Sequence, residues 1–437
     1  MIQTLRNAWR IPDLRKKILF TLLLIVVFRF GSYIPVPWLN AEAISAWLSS
    51  STTGGTLFNL MDSFSGGSLS GATIFAMSIS PYINSSIIMQ LLTVAIPALE
   101  RMAKEGAEGR KKITKITRYL TVVLGAVQAF GLYLTLNNQV VTMADGTQAS
   151  MINITGVPTW LGVLTIIAAF TAGTAFLMWL GEQITGRGIG NGISMIIFAG
   201  IVSSIPSMLR MAANNFAGRW WAWIIYVAYV LLSIAFVVLI NDAERRIPVQ
   251  YAKRVVGNKM YGGQSSNIPL KVTQGGVIPI IFAMSILTFP ATLAQFFPNA
   301  GFIATIAKTL TETWVYPVFY FVLIIGFTYF YASITFNPIE IANNIKQNGG
   351  SIMGIRPGKP TSDYIAKVLN KITLIGAIAL AIVAVLPIIV TLAVPNMPIA
   401  SFALTGTSLL IVVGVALETV KQIEAQMVMR HYKGFLE

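Results

Sequence analysis

Arg29 and Glu182 are the ionisable residues that stand out inside, or at the edge of, a long apolar stretch of this sequence. Charges in such places mark proton relays and ion-coupled transporters, because each costs about 2.5 to 3.5 kcal/mol at the centre of an inserted helix. One arginine and one boundary glutamate do not make a relay, and Arg29 is expected to face protein or to extend its guanidinium toward water. The 437 residues contain no cysteine and a single histidine, His431, in the tail. Thiol nucleophiles, thiolate metal sites and a histidine-based intramembrane centre are thereby removed. No two apolar stretches carry the paired aspartates of an aspartyl protease. These residue types point to a non-enzyme without cofactor or metal.

Gly186-Arg187-Gly188-Ile189-Gly190-Asn191-Gly192 has the glycine density of a phosphate-binding loop. A dinucleotide site needs a preceding strand and a βαβ unit, whereas this run follows one apolar helix and opens another. It reads as a tight turn.

The remaining ionic chemistry is positive, with a net charge of +15 at pH 7. Of the 31 Lys and Arg residues, all but Arg29, Arg210, Arg219 and Lys308 fall in every second polar gap between apolar stretches. The basic gaps run from Arg6 to Lys17, Arg101 to Arg118, Arg187, Arg245 to Lys271, Lys346 to Lys371, and from Lys421 onward. Segments flanking membrane spans on the cytosolic side keep the excess of Lys and Arg, so these gaps are cytosolic and the spans even in number. A charge of this size also suits nucleic acid, but its segregation is a topology signal, with contact to anionic lipid or RNA as an addition.

Apolar stretches lie near 18 to 37, 73 to 97, 117 to 137, 158 to 181, 190 to 209, 220 to 240, 275 to 297, 315 to 335, 372 to 394 and 400 to 420. Each approaches the roughly 20 residues needed to cross the hydrocarbon core. They are expected to be helices, because lipid cannot satisfy an exposed backbone and barrel-type alternation is missing. The expected fold is all-α and polytopic. The first stretch continues into Tyr33-Ile34-Pro35-Val36-Pro37 without a small-residue cleavage site and is read as a span rather than a cleaved signal.

Two segments depart from a simple bundle. Thr56, Leu57, Phe58, Asn59, Leu60, Met61, Asp62, Ser63 and Phe64 lie between Gly54-Gly55 and Gly66-Gly67 on the non-cytosolic side. About ten helical residues rise only about 15 Å, too short to span, so the piece is either a short re-entrant helix or an ordinary external loop. The gaps 241 to 274 and 336 to 371 are far longer than a connection requires. Arg245, Arg246, Lys253 and Arg254 alternate there with Ile247, Val249 and Tyr251, while Arg356 and Lys359 sit among Gly354, Pro357 and Gly358. Such patterns suggest structured docking surfaces.

Several runs carry a family likeness: Ile79-Ser80-Pro81-Tyr82-Ile83-Asn84-Ser85-Ser86-Ile87-Ile88-Met89-Gln90-Leu91-Leu92, the stretch from Glu182 through Ser194, Pro269-Leu270-Lys271-Val272, Gly276-Val277-Ile278-Pro279, Phe289-Pro290-Ala291, Gly354 to Gly358, and Gly406-Thr407-Ser408-Leu409-Leu410-Ile411. In this order, over essentially the whole chain, they resemble the SecY family, channel subunits of bacterial protein translocases. Ser78, where the family usually has glycine, and Met284, in a stretch often richer in small polar residues, depart from it and bear on gating.

The resemblance implies two halves of five spans, 1 to 209 and 210 to 437, around a pore that passes unfolded polypeptides and releases apolar segments sideways. Five spans per half is odd, so a repeated half must be inverted across the membrane. The family's pore ring maps onto Ile79, Ile83, Ile193, Ile197, Ile281 and Ile411, its plug onto the short segment near 56 to 66, and its lateral gate onto Pro81, Asn84, Gln128, Ser285 and Pro290. The resemblance further implies a bacterial plasma membrane location with both termini cytosolic. The partners it implies are SecE and SecG subunits, a SecA motor ATPase, the ribosome, signal sequences and nascent chains, with SecDF and YidC as accessory proteins. A secondary transporter of the same inverted architecture would need a midplane ion site, and a membrane enzyme a nucleophile and base; the residues supply neither.

Overall fold

The structure, a computed structural model, describes residues 2–50, 55–137, 140–142, 148–215, 220–251, 254–256, 259–261, 265–296, 314–393 and 400–433. A short helix α1 (Ile2–Arg10) leads into α2 (Pro12–Gly31). Pro12 stands at the first turn of α2, where a missing N–H costs nothing. The expected first span extended to residue 37, but the helix stops at Gly31. Beyond it the chain turns extended, Pro35 bridges to Thr73, and Val36 N–H donates to the Ala72 carbonyl.

Next come α3 (Ala41–Ser50) and α4 (Gly55–Ser65), and α4 packs on α3. The second stretch begins as a helix only at α5 (Ser80–Ala95), not at 73. Residues 68 to 79 form successive turns, with Ala72 and Ser78 at a φ of 52°, and Pro81 opens the helix. α5 ends before Pro97, which forces Ile96 to an extended φ of −108° and ψ of 113°. The continuation, α6 (Pro97–Lys104), is bent from α5 by 100°.

The chain proceeds through α7 (Ala107–Asn137), a hairpin of β1 (Val140–Thr142) and β2 (Gln148–Ser150), α8 (Thr159–Arg187), α9 (Gly192–Asn215) and α10 (Trp220–Asp242). After the first long gap come α11 (Ile278–Phe296) and α12 (Val315–Thr335), then α13 (Pro338–Gln347), α14 (Lys359–Ala393) and α15 (Ala400–Lys433). Each expected apolar stretch therefore overlaps a helix, with the ends of the first two displaced. Among the described residues, 6 helices are by themselves long and apolar enough to cross a membrane, the bent α5–α6 pair makes up to 7, and Gly192–Ser207 and Ile278–Leu287 are shorter apolar helices. α7 and α14 begin, and α15 ends, well beyond the apolar stretch, so much of the basic set rides on helical extensions. Trp160, Trp220 and Trp314, exposed at the opposite ends of α8, α10 and α12, suit an aromatic belt at the other interface.

The two long gaps fold together. β3 (Glu244–Tyr251) is followed by a hairpin of β4 (Arg254–Val256) and β5 (Lys259–Tyr261) and pairs antiparallel with β6 (Ser265–Lys271), Ile247 opposite Ile268, and with β7 (Gly350–Ile352), Val249 opposite Ile352. Along β3, Ile247 and Val249 point inward while Arg245, Arg246, Pro248 and Gln250 stay exposed, the period-two pattern of a half-buried strand. Ile247, Val249, Leu270, Ile345, Ile352 and Ile365 form its apolar core. Within the membrane region a central cluster joins Phe28 of α2, Ile79, Leu177 of α8, Ile197 of α9 and Ile411 of α15.

Candidate functional site

A cavity of about 90 Å³ opens where α4, α5, α7, α9, α11 and α15 converge. Ile79, Ile83, Ile197, Ile281 and Ile411 line it, from four helices and from segments more than 300 residues apart. Isoleucine is stiff at χ1 and offers no hydrogen bond, so such a wall excludes water and does not hold a passing polar group. Ile193 is not among the lining residues. α8 comes close at Gly181, whose absent side chain would meet Ile193 Cγ1 at 3.3 Å, and Ile193 packs into that gap while still touching the central cluster. Ser78 lines the wall beside Ile79, buried and in the left-handed backbone region at a φ of 52°.

Helix α4 closes one end of the cavity with Phe58, Met61 and Phe64. The short segment is thus a helix and not an extended loop, seated on α3, α9 and α15. Trp47 of α3 meets Phe58 with ring centroids 5.0 Å apart. At the far end the seat is tight, because a Cβ on Gly200 of α9 would lie 2.1 Å from the Phe64 carbonyl oxygen. Ser204 Oγ donates to the Ser63 carbonyl at 3.2 Å. Asp62 Oδ1 accepts from the N–H groups of Leu69 and Ser70, at 2.9 and 2.8 Å, and so ties α4 to the turn that follows. Burial raises the Asp62 carboxyl above its ordinary 3.8, and those backbone donors act in the opposite direction. The side chains of Thr56, Leu57, Asn59 and Leu60 lie outside the described residues.

Asn84 of α5, Gln128 of α7 and Ser285 of α11 line the same cavity, where α11 packs against both α5 and α7. Pro81 is buried at the start of α5, close to Gly125 of α7. Pro290 sits inside α11, apart from the cavity, where its missing N–H interrupts the helical hydrogen-bond ladder.

The sheet brings the segment of Arg245 and Arg246 beside the segment of Arg356 and Lys359. All four side chains are exposed. Arg246 pairs with Glu244 at 2.7 Å, a surface contact worth about 0 to 1 kcal/mol. Gly354 and Gly358 flank Arg356 with φ of 80° and 105°, and Thr361 Oγ1 fastens the Arg356 carbonyl at 2.8 Å. Lys253 and the Arg254 side chain lie outside the described residues. Gly186 to Gly192 is the expected tight turn, held by Thr21 Oγ1 accepting from Ile189 N–H at 3.0 Å and Thr185 Oγ1 from Gly192 N–H at 2.9 Å.

Sequence reasoning missed Gly200, Ser203 and Ser204 as part of this site. A glycine within the apolar helix 192 to 207 was the available signal.

A profile of the family described as SecY matches residues 73–420. This chain belongs to the SecY family. Proteins named protein translocase subunit SecY from Streptomyces scabiei, Bacillus subtilis and Thermotoga maritima are 47%, 45% and 44% identical, covering 100% of this chain and 98 to 100% of their own lengths. Among solved structures, a protein-conducting channel superposes with a TM-score of 0.65 at 18% identity, over 94% of this chain and 92% of that one. Sec61 in a canine ribosome–channel complex gives 0.62 at 16%, over the same shares. A SecY whose plug domain stabilises its closed state and maintains a membrane seal gives 0.61 at 18%. At such identities the structural likeness concerns the fold. The matched SecY region contains every cavity isoleucine, and α4 precedes it within the full-length match to the relatives.

Proposed function

We propose that this chain forms a protein-conducting channel through which unfolded secretory polypeptides cross a bacterial plasma membrane, and from which apolar segments leave sideways into lipid. The observation that carries the reading is the convergence of Ile79, Ile83, Ile197, Ile281 and Ile411 on one small cavity closed at its end by α4. In this reading the isoleucines are the ring that closes on itself at rest and around a chain in transit, with Ile193 supporting it from the α8 side. α4 is the plug. α5 and α7 face α11 and α12 across the lateral gate, where Asn84, Gln128 and Ser285 bond across the closed seam and yield to an apolar signal helix, and Pro81 and Pro290 permit the bend.

The halves 1 to 209 and 210 to 437 act as the two sides of a clam-shell, with both termini cytosolic. The joined loops, through Arg245, Arg246, Lys253, Arg254, Arg356 and Lys359, receive a SecA motor or a ribosome. SecE and SecG complete the channel, anionic lipids surround it, and SecDF and YidC act beside it on emerging chains.

Ion conductance of the reconstituted resting channel tests the seal. Ile83→Gly combined with Ile197→Gly is expected to leak ions where the native chain does not; an unchanged, closed conductance would contradict the ring.

A further inference from the structure

Arg29 is the charge that the channel reading leaves without a task. It stands near the end of α2, and one of its donors reaches the C-terminal end of α4. Nη1 donates to the Gly66 carbonyl at 2.8 Å and to Ser203 Oγ of α9 at 3.2 Å. Nη2 donates to the Tyr33 hydroxyl at 2.8 Å, and the guanidinium carbon lies 4.7 Å from the Tyr33 ring centre. Gly66 follows directly on α4, whose last carbonyls lack intrahelical partners and carry the negative end of the helix dipole. Gly66 also lies in the left-handed region at a φ of 71°, and a Cβ there would come within 2.5 Å of Ser203 Oγ and 3.2 Å of Arg29 Nη1.

We propose that Arg29 is the latch of the plug, a positioning residue that holds α4 against α9 by a charge-assisted bond available only when α4 is seated. The proposal rests on reading α4 as a plug. The division of its donors suits a reversible latch. Tyr33 is one turn along from Arg29 and Ser203 is on α9, so both contacts survive departure of α4, and undocking breaks the Gly66 bond without stranding a bare cation. The latch grips a backbone carbonyl, so it does not depend on the plug's side chains. An arginine that merely reached for water would be replaced by lysine without effect. The latch needs a planar fork that donates toward Gly66 and Tyr33 at once.

The test uses the full chain in membrane vesicles with its accompanying subunits. Ser65 is 0% exposed, and the native chain has no cysteine, so Ser65→Cys gives a clean reporter of plug seating. Arg29→Met is expected to speed labelling of that cysteine by a membrane-impermeant maleimide about tenfold or more, the scale of a lost charge-assisted hydrogen bond. Arg29→Lys should fall between. Unchanged labelling in Arg29→Met overturns the latch. Should that variant fail to accumulate, Arg29→Lys replaces it, and unchanged labelling in Arg29→Lys overturns the proposal. Deletion of Thr56 to Phe64 judges the plug reading separately: a leak through the deletion with unchanged labelling in Arg29→Met rejects the latch alone, whereas a deletion that stays ion-tight rejects the plug.

Discussion

Gly200 of α9 and the carbonyl of Phe64 are packed so closely that one added carbon at position 200 would come within 2.1 Å of the carbonyl oxygen. Glycine inside a helix costs roughly 0.5 to 1 kcal/mol relative to alanine, so the cost to α9 is offset by the seat it gives α4. Gly200→Ala is expected to strengthen α9 as a helix yet displace α4, raising the resting ion conductance. Gly200→Val should do so more strongly. A tight channel in both would show that α4 can reseat without sealing contact at this point.

Ser78 is held at a φ of 52° beside Ile79, in a backbone region that costs a non-glycine residue about 1 to 2 kcal/mol. Ser78→Gly relieves that strain but gains freedom in the unfolded chain, for a net stabilisation of roughly 0 to 1 kcal/mol. Ser78→Val should destabilise by more than about 1 kcal/mol, because a β-branched residue fits this region worst. Thermal unfolding of the purified complex ranks the three. Equal values for Val and Ser would deny the strain.

Burial raises the Asp62 carboxyl above 3.8, so the folded chain binds that proton more tightly than the unfolded one. The contribution of Asp62 to seating is therefore greatest below pH 3.8 and falls as pH rises through the raised value. Resting conductance should be lower at pH 3.8 than at neutral pH by this mechanism. Asp62→Asn keeps an oxygen acceptor for Leu69 and Ser70 and should remain tight at both. A pH dependence that persists in Asp62→Asn would assign it elsewhere.

Arg356 stands exposed between two glycines in left-handed conformation, presenting a planar donor fork that lysine cannot reproduce. Arg356→Glu is expected to abolish motor-driven or ribosome-coupled transport of a secretory precursor into vesicles, with assembly and ion-tightness retained. Arg356→Lys should be intermediate. Full transport by the Glu variant would show that this loop is not the docking contact.

Helix placement was legible because the membrane imposes it: an apolar run of sufficient length has no other stable backbone conformation there. The ends were less so. α14 starts at Lys359 and α15 runs to Lys433 because helices continue past the apolar stretch without any change in backbone chemistry, whereas Pro97 announces its bend. The alternation along β3 suggested a structured surface without deciding between strand and turn, and its partner β7 lies about a hundred residues away, where nothing local specifies the pairing. The cavity isoleucines came together in the reading through family resemblance alone, since isoleucine at helical spacing is ordinary in any span. The same resemblance put Ile193 with them; it packs beside Gly181 of α8 and touches the central cluster without lining the cavity.

The most direct test of a polypeptide path through this cavity is site-specific photo-crosslinking to a precursor arrested midway in transport. A photoreactive residue at Ile83 or Ile411, both facing the cavity, is expected to form adducts with the arrested chain, and one at Leu232, which is 71% exposed on the outer face of α10, is expected to form none. Adducts at Leu232 without adducts at Ile83 and Ile411 would contradict the account.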